Sequence, residues 1–488
     1  MKIYLVNPKN DWAMYYGDEF LQGKRTYMID TTLPTVAGCI PKDIDIEMCD
    51  SRVHDINYNT DAEWVGLTVK LGQHRSMKEI ASKFKALGKK IMLGGPFVSG
   101  YTSEVREYAD IVVKGEIEEI APKIFSDIKS GTYQNEYQGT RPSLTLSPTP
   151  RWDLYPSTNT YIGNLQTTRG CPFGCDFCDS VQLTGTLARC KSETQVINEL
   201  NVLYHDFNFN VIFISDDNPI ANMVQAKKTF QAITDWGVGK NVTFISQMPT
   251  NLTYNDEMLA LVAKSGLRQV YVGIESFDSE LLKGVHKSHN TVHSHRFVLD
   301  KLVTNGIVPV IGCILGFDKH TTDIFETTYN ECMKLPVPLV TLNTLWAFPG
   351  TPMTKRYEEE GRIDRKITDL SGYPWHTNIV PKNMTVNELG RNVHKLLNRL
   401  NEPEAFKTRV INTLSKLKKA PYYNNLSQEK NRDFAYTIIK HITRMSDADR
   451  KMCQYFLKNH KDSLGYVLEF FAFYAQSRHL CDIEYKEI

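Results

Sequence analysis

The stretch Thr167–Ser180, TTRGCPFGCDFCDS, sets Cys171, Cys175 and Cys178 in the spacing C-x3-C-x2-C. Thiolates are soft ligands that suit iron–sulfur clusters or zinc. A [4Fe–4S] cluster normally takes four ligands, so three thiols on one short loop leave an iron open to a small molecule. Gly170, Gly174 and the aromatic Phe177 fit a loop packed around a cofactor larger than an ion. Structural zinc prefers four closed ligands. Cys190 offers a fourth thiol, so zinc stays open at this point. The chain holds ten cysteines, and apart from this trio they are scattered. A tight trio without a secretion signal points to metal binding or catalysis rather than disulfides.

Outward from the trio, strand-like and helix-like segments alternate over 161–355. Strands are expected at Tyr161–Gln166, Val211–Ser215, Val242–Gln247, Gln269–Gly273, Val308–Leu315 and Val340–Ala347. Helical patterns such as Glu193–Asp206, Asn222–Thr234, Asp256–Ser265 and Ser294–Thr304 lie between them. Six such β/α units suit a partial TIM barrel, with chemistry at the carboxyl ends of its strands. The cysteine loop follows the first of those strands.

The trio, with an aromatic immediately before its last cysteine, resembles the signature of radical S-adenosylmethionine (SAM) enzymes. In that family the open iron chelates the amino and carboxylate groups of SAM. One electron then cleaves SAM to a 5′-deoxyadenosyl radical. Four segments follow in the family's order: FISDDN with Asp216 and Asp217, YVGIES with Glu275 and Ser276, GCILGFD with Gly312 and Ile314, and LWAFPGTPM. The resemblance covers 161–360. It implies a [4Fe–4S] cluster on the three cysteines, which are then catalytic as well as metal ligands. It also implies SAM contacts at Phe177, Asp216, Asp217, Glu275, Ser276, Gly312 and Ile314. Adjacent residues on a strand point to opposite faces, so which of Asp216 and Asp217 meets SAM is left to the structure.

Residues 1–130 carry short apolar strands at Lys2–Pro8, Ile44–Cys49, Trp64–Val69, Lys90–Gly94 and Ile111–Lys114, with amphipathic helices at Ser76–Leu87 and Ile117–Lys129. Such alternation argues for a parallel sheet covered on both faces, with ligands beyond the strands' carboxyl ends. This α/β unit resembles the Rossmann-like cobalamin-binding domain joined to one large radical SAM class. The matching segments are GLTVKLG, MLGGPFVSG and ADIVVKGEIEEI. They imply cobalamin contacts at Thr68, Lys70, Leu71, Gly94, Gly95, Pro96, Gly115 and Glu116. Gly94 and Gly95 would let the backbone approach a flat macrocycle. Gly115-Glu116 would open a helix, whose first N–H groups are free. The family's D-x-H-x-x-G loop is missing, and NPKNDW (7–12) stands in its place. His54 and His74 lie elsewhere.

Residues 131–160, centred on RPSLTLSPTP, read as a linker. Beyond 361 the pattern is helical, at Val386–Leu400, Arg432–Arg444, Asp447–Asn459 and Ser463–His479. PGTPMTKRYEEEGRI and TNIVPKNMT resemble the C-terminal domain of a subgroup that includes hopanoid methylases and other lipid-modifying radical SAM proteins. Phe470, Phe471, Phe473 and Tyr474 have the spacing of an ordinary buried helix, and would equally line a lipid-sized pocket.

Bulk properties exclude little else. The 488 residues carry a net charge of +1, which gives no pull toward nucleic acid. Residues 401–460 hold 12 Lys/Arg against 6 Asp/Glu, which reads as a solvated helical surface. MKIYLVNPKN lacks the features of a signal peptide, and no apolar run suits a transmembrane helix. A cytosolic protein is expected, with peripheral membrane contact open. The resemblance implies methylation of an unactivated carbon in a lipid or other small molecule, with an electron donor such as flavodoxin or ferredoxin as partner. Non-methylating radical chemistry, such as cyclisation or carbon–carbon coupling, is one alternative. A zinc-stabilised binding module without catalysis is another.

Overall fold

The computed structural model describes residues 1–11, 26–156, 160–291, 293–364, 373–423 and 429–487. Trp12, which ends NPKNDW, and residues 157–159 of the expected linker lie outside the described residues.

Five apolar runs form a parallel sheet: β1 (Lys2–Asn7), β3 (Asp45–Asp50), β4 (Trp64–Thr68), β5 (Lys90–Gly94) and β6 (Ile111–Lys114). A sixth strand, β7 (Glu136–Gln138), pairs with β6 from within the stretch that composition reads as a linker. The order is β3-β1-β4-β5-β6-β7. Strands buried on both faces must be apolar throughout, and β4 is buried at all five positions. Helix His74–Ala86 covers the sheet with Met77, Ile80, Ala81 and Phe84, one stripe at helical spacing.

The second sheet orders as β15-β14-β13-β12-β11-β8-β2, all parallel. Its strands are β8 (Thr160–Leu165), β11 (Val211–Ile214), β12 (Thr243–Gln247), β13 (Leu267–Glu275), β14 (Val308–Leu315) and β15 (Leu339–Thr344), curled into a half-barrel. The seventh, β2 (Thr26–Met28), comes from the N-terminal part of the chain and pairs with β8. A two-residue ladder, β9 (Thr168–Arg169) with β10 (Arg189–Cys190), brackets the cysteine loop.

Beyond residue 361, five α-helices stand among the described residues. Val386–Leu400 starts on a capping box between Thr385 and Glu388 and buries Leu389, Val393, Leu396, Leu397 and Leu400. Helix Pro403–Lys416 lies within the basic segment and has no counterpart in the sequence reading. Leu464–Asp482 is buried on every side from Tyr466 to Gln476, as a helix apolar all round must be. Phe470, Phe471, Phe473 and Tyr474 are core residues there. No helix among the described residues is long and apolar enough to cross a membrane.

Candidate active site

The three thiols border one cavity of about 180 Å³ at the carboxyl ends of β11, β12 and β13. A required glycine and a backbone hydrogen bond build the loop. Gly170 adopts φ +99°, and a Cβ there would lie 2.3 Å from the Leu187 carbonyl oxygen. The Cys171 N–H donates to the Gly185 carbonyl at 3.1 Å, closing the loop against the following helix. Burial pushes the Cys175 thiol up to about 11 and raises that of Cys178, while the nearby Lys287 ammonium pulls both the other way. Loading a metal there therefore releases protons. Asn218 donates to the Cys171 sulfur at 3.7 Å.

Among the described residues, no three His, Cys, Asp or Glu side chains converge on a point that a single ion would fill. Cys190 sits in β10 opposite Thr168 and does not border the cavity. Three soft thiolates spread around one chamber fit a cluster with an open iron better than a four-coordinate zinc.

The opposite wall is charged. β13 bulges between Gly273 and Glu275, and Glu275 takes φ +65°, an uncommon conformation for a residue with a side chain. The bulge turns its carboxylate into the cavity, where Lys287 holds it at 2.6 Å. Gly273 leaves the room for this, since a Cβ there would lie 2.2 Å from the Glu275 carboxylate. Phe173 stacks on His289 at 3.8 Å, and burial lowers that imidazole to about 4, so the ring is neutral near pH 7. Phe177 also borders the cavity and meets Phe317 edge-on.

Asp216 and Asp217 separate cleanly. Asp216 is fully buried and bound by the Thr167 N–H and hydroxyl; burial lifts its carboxyl to about 6. Asp217 borders the cavity and accepts from Ser180 at 3.1 Å and Thr184 at 3.2 Å. Ser276 points away, accepting from the Asp278 N–H. Gly312 stands beside Gly273 on the neighbouring strand, and Ile314 packs with Phe177 and Phe317. Lys287, His289 and Asn290 complete the cavity from a loop after β13 that carries no motif in the sequence reading.

A second pocket of about 290 Å³ opens at the carboxyl ends of the N-terminal strands. Thr68, Lys70, Gly94, Gly95, Pro96, Gly115 and Glu116 all line it, and Leu71 lines an adjoining space of about 390 Å³. Among the described residues the Thr68 hydroxyl, buried there, has no hydrogen-bond partner. An orphaned buried hydroxyl facing a pocket suits a bound group with a polar edge. The reasons for the glycines differ from expectation. Gly95 is needed within the fold, because its φ is +107° and a Cβ would lie 2.7 Å from the Val69 carbonyl oxygen. Gly115-Glu116 opens no helix, since the helix spans Ala121–Ser130. Glu116 instead accepts from both nitrogens of the Arg189 fork at 2.7 and 2.5 Å and from Arg169 at 2.7 Å. Among the described residues no histidine lines either space. His54 bonds the Pro156 carbonyl at 2.7 Å, and His74 stacks on Phe97.

Residues 165–332 match the radical SAM superfamily, and 351–487 match a domain of unknown function, DUF4070. An uncharacterized methyltransferase of Synechocystis sp. is 29% identical over 74% of this chain and 68% of its own length. The hopanoid C-2 methylase of Rhodopseudomonas palustris is 26% identical over 69% of this chain and 66% of its own. Among solved structures, the cobalamin-dependent SAM radical enzyme OxsB aligns over 98% of this chain and 79% of its own, with TM-score 0.62 and 15% identity. The thiol-lined cavity at the mouth of a half-barrel and the matched segment agree: residues 165–332 of this enzyme form a radical SAM domain, and the Rossmann-like parallel sheet ahead of it shares its fold with that cobalamin-dependent neighbour.

Proposed function

We propose that this enzyme methylates an unactivated carbon of a lipid or other small molecule, with a [4Fe–4S] cluster and SAM in the core cavity and cobalamin in the N-terminal pocket. The carrying observation is that the two cavities share a wall, the five-residue helix Ser180–Thr184. When bound, the cluster with SAM supplies hydrogen abstraction and cobalamin supplies methyl carriage.

The chain's own residues have separable tasks. Cys171, Cys175 and Cys178 hold the cluster, and Asn218 steadies the first thiolate. Asp217 and Glu275 offer carboxylates to the amino and hydroxyl groups of SAM, and Lys287 keeps Glu275 aimed. The Phe173–His289 stack and Phe177 limit water at the chamber's rim. Thr68 and the loops after β4, β5 and β6 receive the corrinoid. A flavodoxin or ferredoxin serves as reductant.

Anaerobic reconstitution with iron, sulfide and hydroxocobalamin, followed by desalting, tests the assignment. Cobalamin should be retained stoichiometrically. With substrate, deoxyadenosine and S-adenosylhomocysteine should form together with a methylated product. The missing histidine at the pocket favours a second reading, radical chemistry without methyl transfer. A product that loses hydrogens and gains no methyl would select it.

A further inference from the structure

The helix Ser180–Thr184 touches both cavities, and its two ends are gripped from opposite sides. On the N-terminal side, Glu116 lines the pocket and takes a bidentate hold from Arg189 at 2.7 and 2.5 Å. Bidentate carboxylate–guanidinium pairs are strong and directional. Arg189 then passes the hold on: its Nη2 donates to the Thr184 carbonyl at 2.8 Å. On the core side, the Thr184 hydroxyl shares its proton between the Ser180 carbonyl at 2.7 Å and Asp217 at 3.2 Å. The Ser180 hydroxyl donates to the other Asp217 oxygen at 3.1 Å. A continuous chain of polar contacts thus runs from the wall of one cavity to a carboxylate in the other. Arg189 and Glu116 are 7% and 10% exposed, so water competes little for this chain.

We infer that Glu116, Arg189 and Thr184 are positioning residues that make SAM binding depend on occupancy of the N-terminal pocket. This rests on the reading that the pocket takes a corrinoid. A group seated against Glu116 fixes that carboxylate. Arg189 then holds the helix end, and Ser180 with Thr184 fixes Asp217 for its ligand. Without that group the same contacts hold the helix less firmly, and Asp217 is less well placed. The enzyme thereby avoids opening SAM to radical formation before the second cofactor is in place.

The test uses the full chain reconstituted with iron and sulfide, with and without hydroxocobalamin. SAM is titrated, and its binding is read from the change it makes in the EPR spectrum of the reduced cluster. Bound cobalamin should tighten SAM about five- to tenfold in the wild type, a usual size for coupling between sites. Thr184→Val leaves the ion pairs and removes the hydroxyl; it should keep cobalamin and cluster while the ratio falls below about twofold. Arg189→Lys keeps the charge but loses the fork, and decides the matter should the Thr184 variant lose its cluster. Stoichiometric cobalamin with unchanged SAM affinity in the wild type, or a full ratio in both variants, overturns this inference alone. A wild type that retains its cluster and no cobalamin overturns the inference together with the assignment of the pocket.

Discussion

The two cavities are built on opposite plans. The core cavity concentrates its chemistry in side chains: three thiols, Asp217, Glu275 and Lys287 around about 180 Å³. The larger N-terminal pocket is walled by glycines, threonines and the backbone of strand ends; its charged groups, Lys70, Glu116, Glu118 and Arg169, are tied up in ion pairs, and its buried Thr68 hydroxyl has no partner among the described residues. A site that binds through a few charged groups is destroyed by one substitution. A site that binds through shape spreads its affinity thinly, so single changes weaken it by degrees.

That contrast can be broken or sharpened. The largest effect is expected at the trio. Cys175→Ala should drop cluster iron, sulfide and deoxyadenosine formation to background, while cobalamin retention persists. Loss of cobalamin in the same variant would show the two cavities to be one cooperative unit. Next comes Lys287→Met, which leaves Glu275 buried beside an apolar chain. SAM binding should weaken roughly tenfold or more, the scale of losing a charged hydrogen-bond partner. Calorimetric titration with SAM would check it, and an unchanged affinity would remove the pair from the site. Thr68→Val keeps shape and removes one hydroxyl. It should weaken cobalamin by about fivefold, one ordinary hydrogen bond's worth, with cluster and SAM binding untouched.

The smallest effect lies away from both cavities. Glu469 is buried in helix Leu464–Asp482, hydrogen-bonded by Tyr27, and burial lifts its carboxyl to about 7. A carboxyl raised on folding stabilises the native state below its unfolded value. That contribution is lost as pH rises through about 7. Melting temperature should therefore fall by about 1–2 °C between pH 6 and pH 8.5, and Glu469→Gln should flatten the fall. Equal slopes in both proteins would place the charge elsewhere.

The same contrast explains what could be read in advance. The cysteine loop is local: fourteen consecutive residues carry its ligands, its aromatic and its glycines. The long parallel strands were legible too, because burial on both faces leaves an unbroken apolar run, and Val308–Leu315 matches the expected bounds. Three-residue strands such as β2 and β7 carry no period to detect; only their partners define them. Lys287 and His289 were invisible because they reach the cavity by tertiary folding of a loop. Asp216 and Asp217 could be named but not told apart, and the Thr167 contacts that separate them come from another strand's end. The glycines after β5 were noticed for a ligand's sake, yet Gly95 answers to the Val69 backbone.

The pairing of β2 with β8 bears on how this protein could be recombined with its relatives. A breakpoint in the 131–160 region would treat everything before it as one exchangeable cassette. Yet Thr26–Met28 supplies the outer strand of the barrel sheet, the Ile29 N–H bonds the Ile162 carbonyl at 3.0 Å, and Tyr27 reaches Glu469 in the last helix. Such a chimera would carry a foreign strand into the half-barrel. Crossovers that keep 26–29 with residues 160–487 preserve the sheet's edge, so the heritable unit here is discontinuous along the chain.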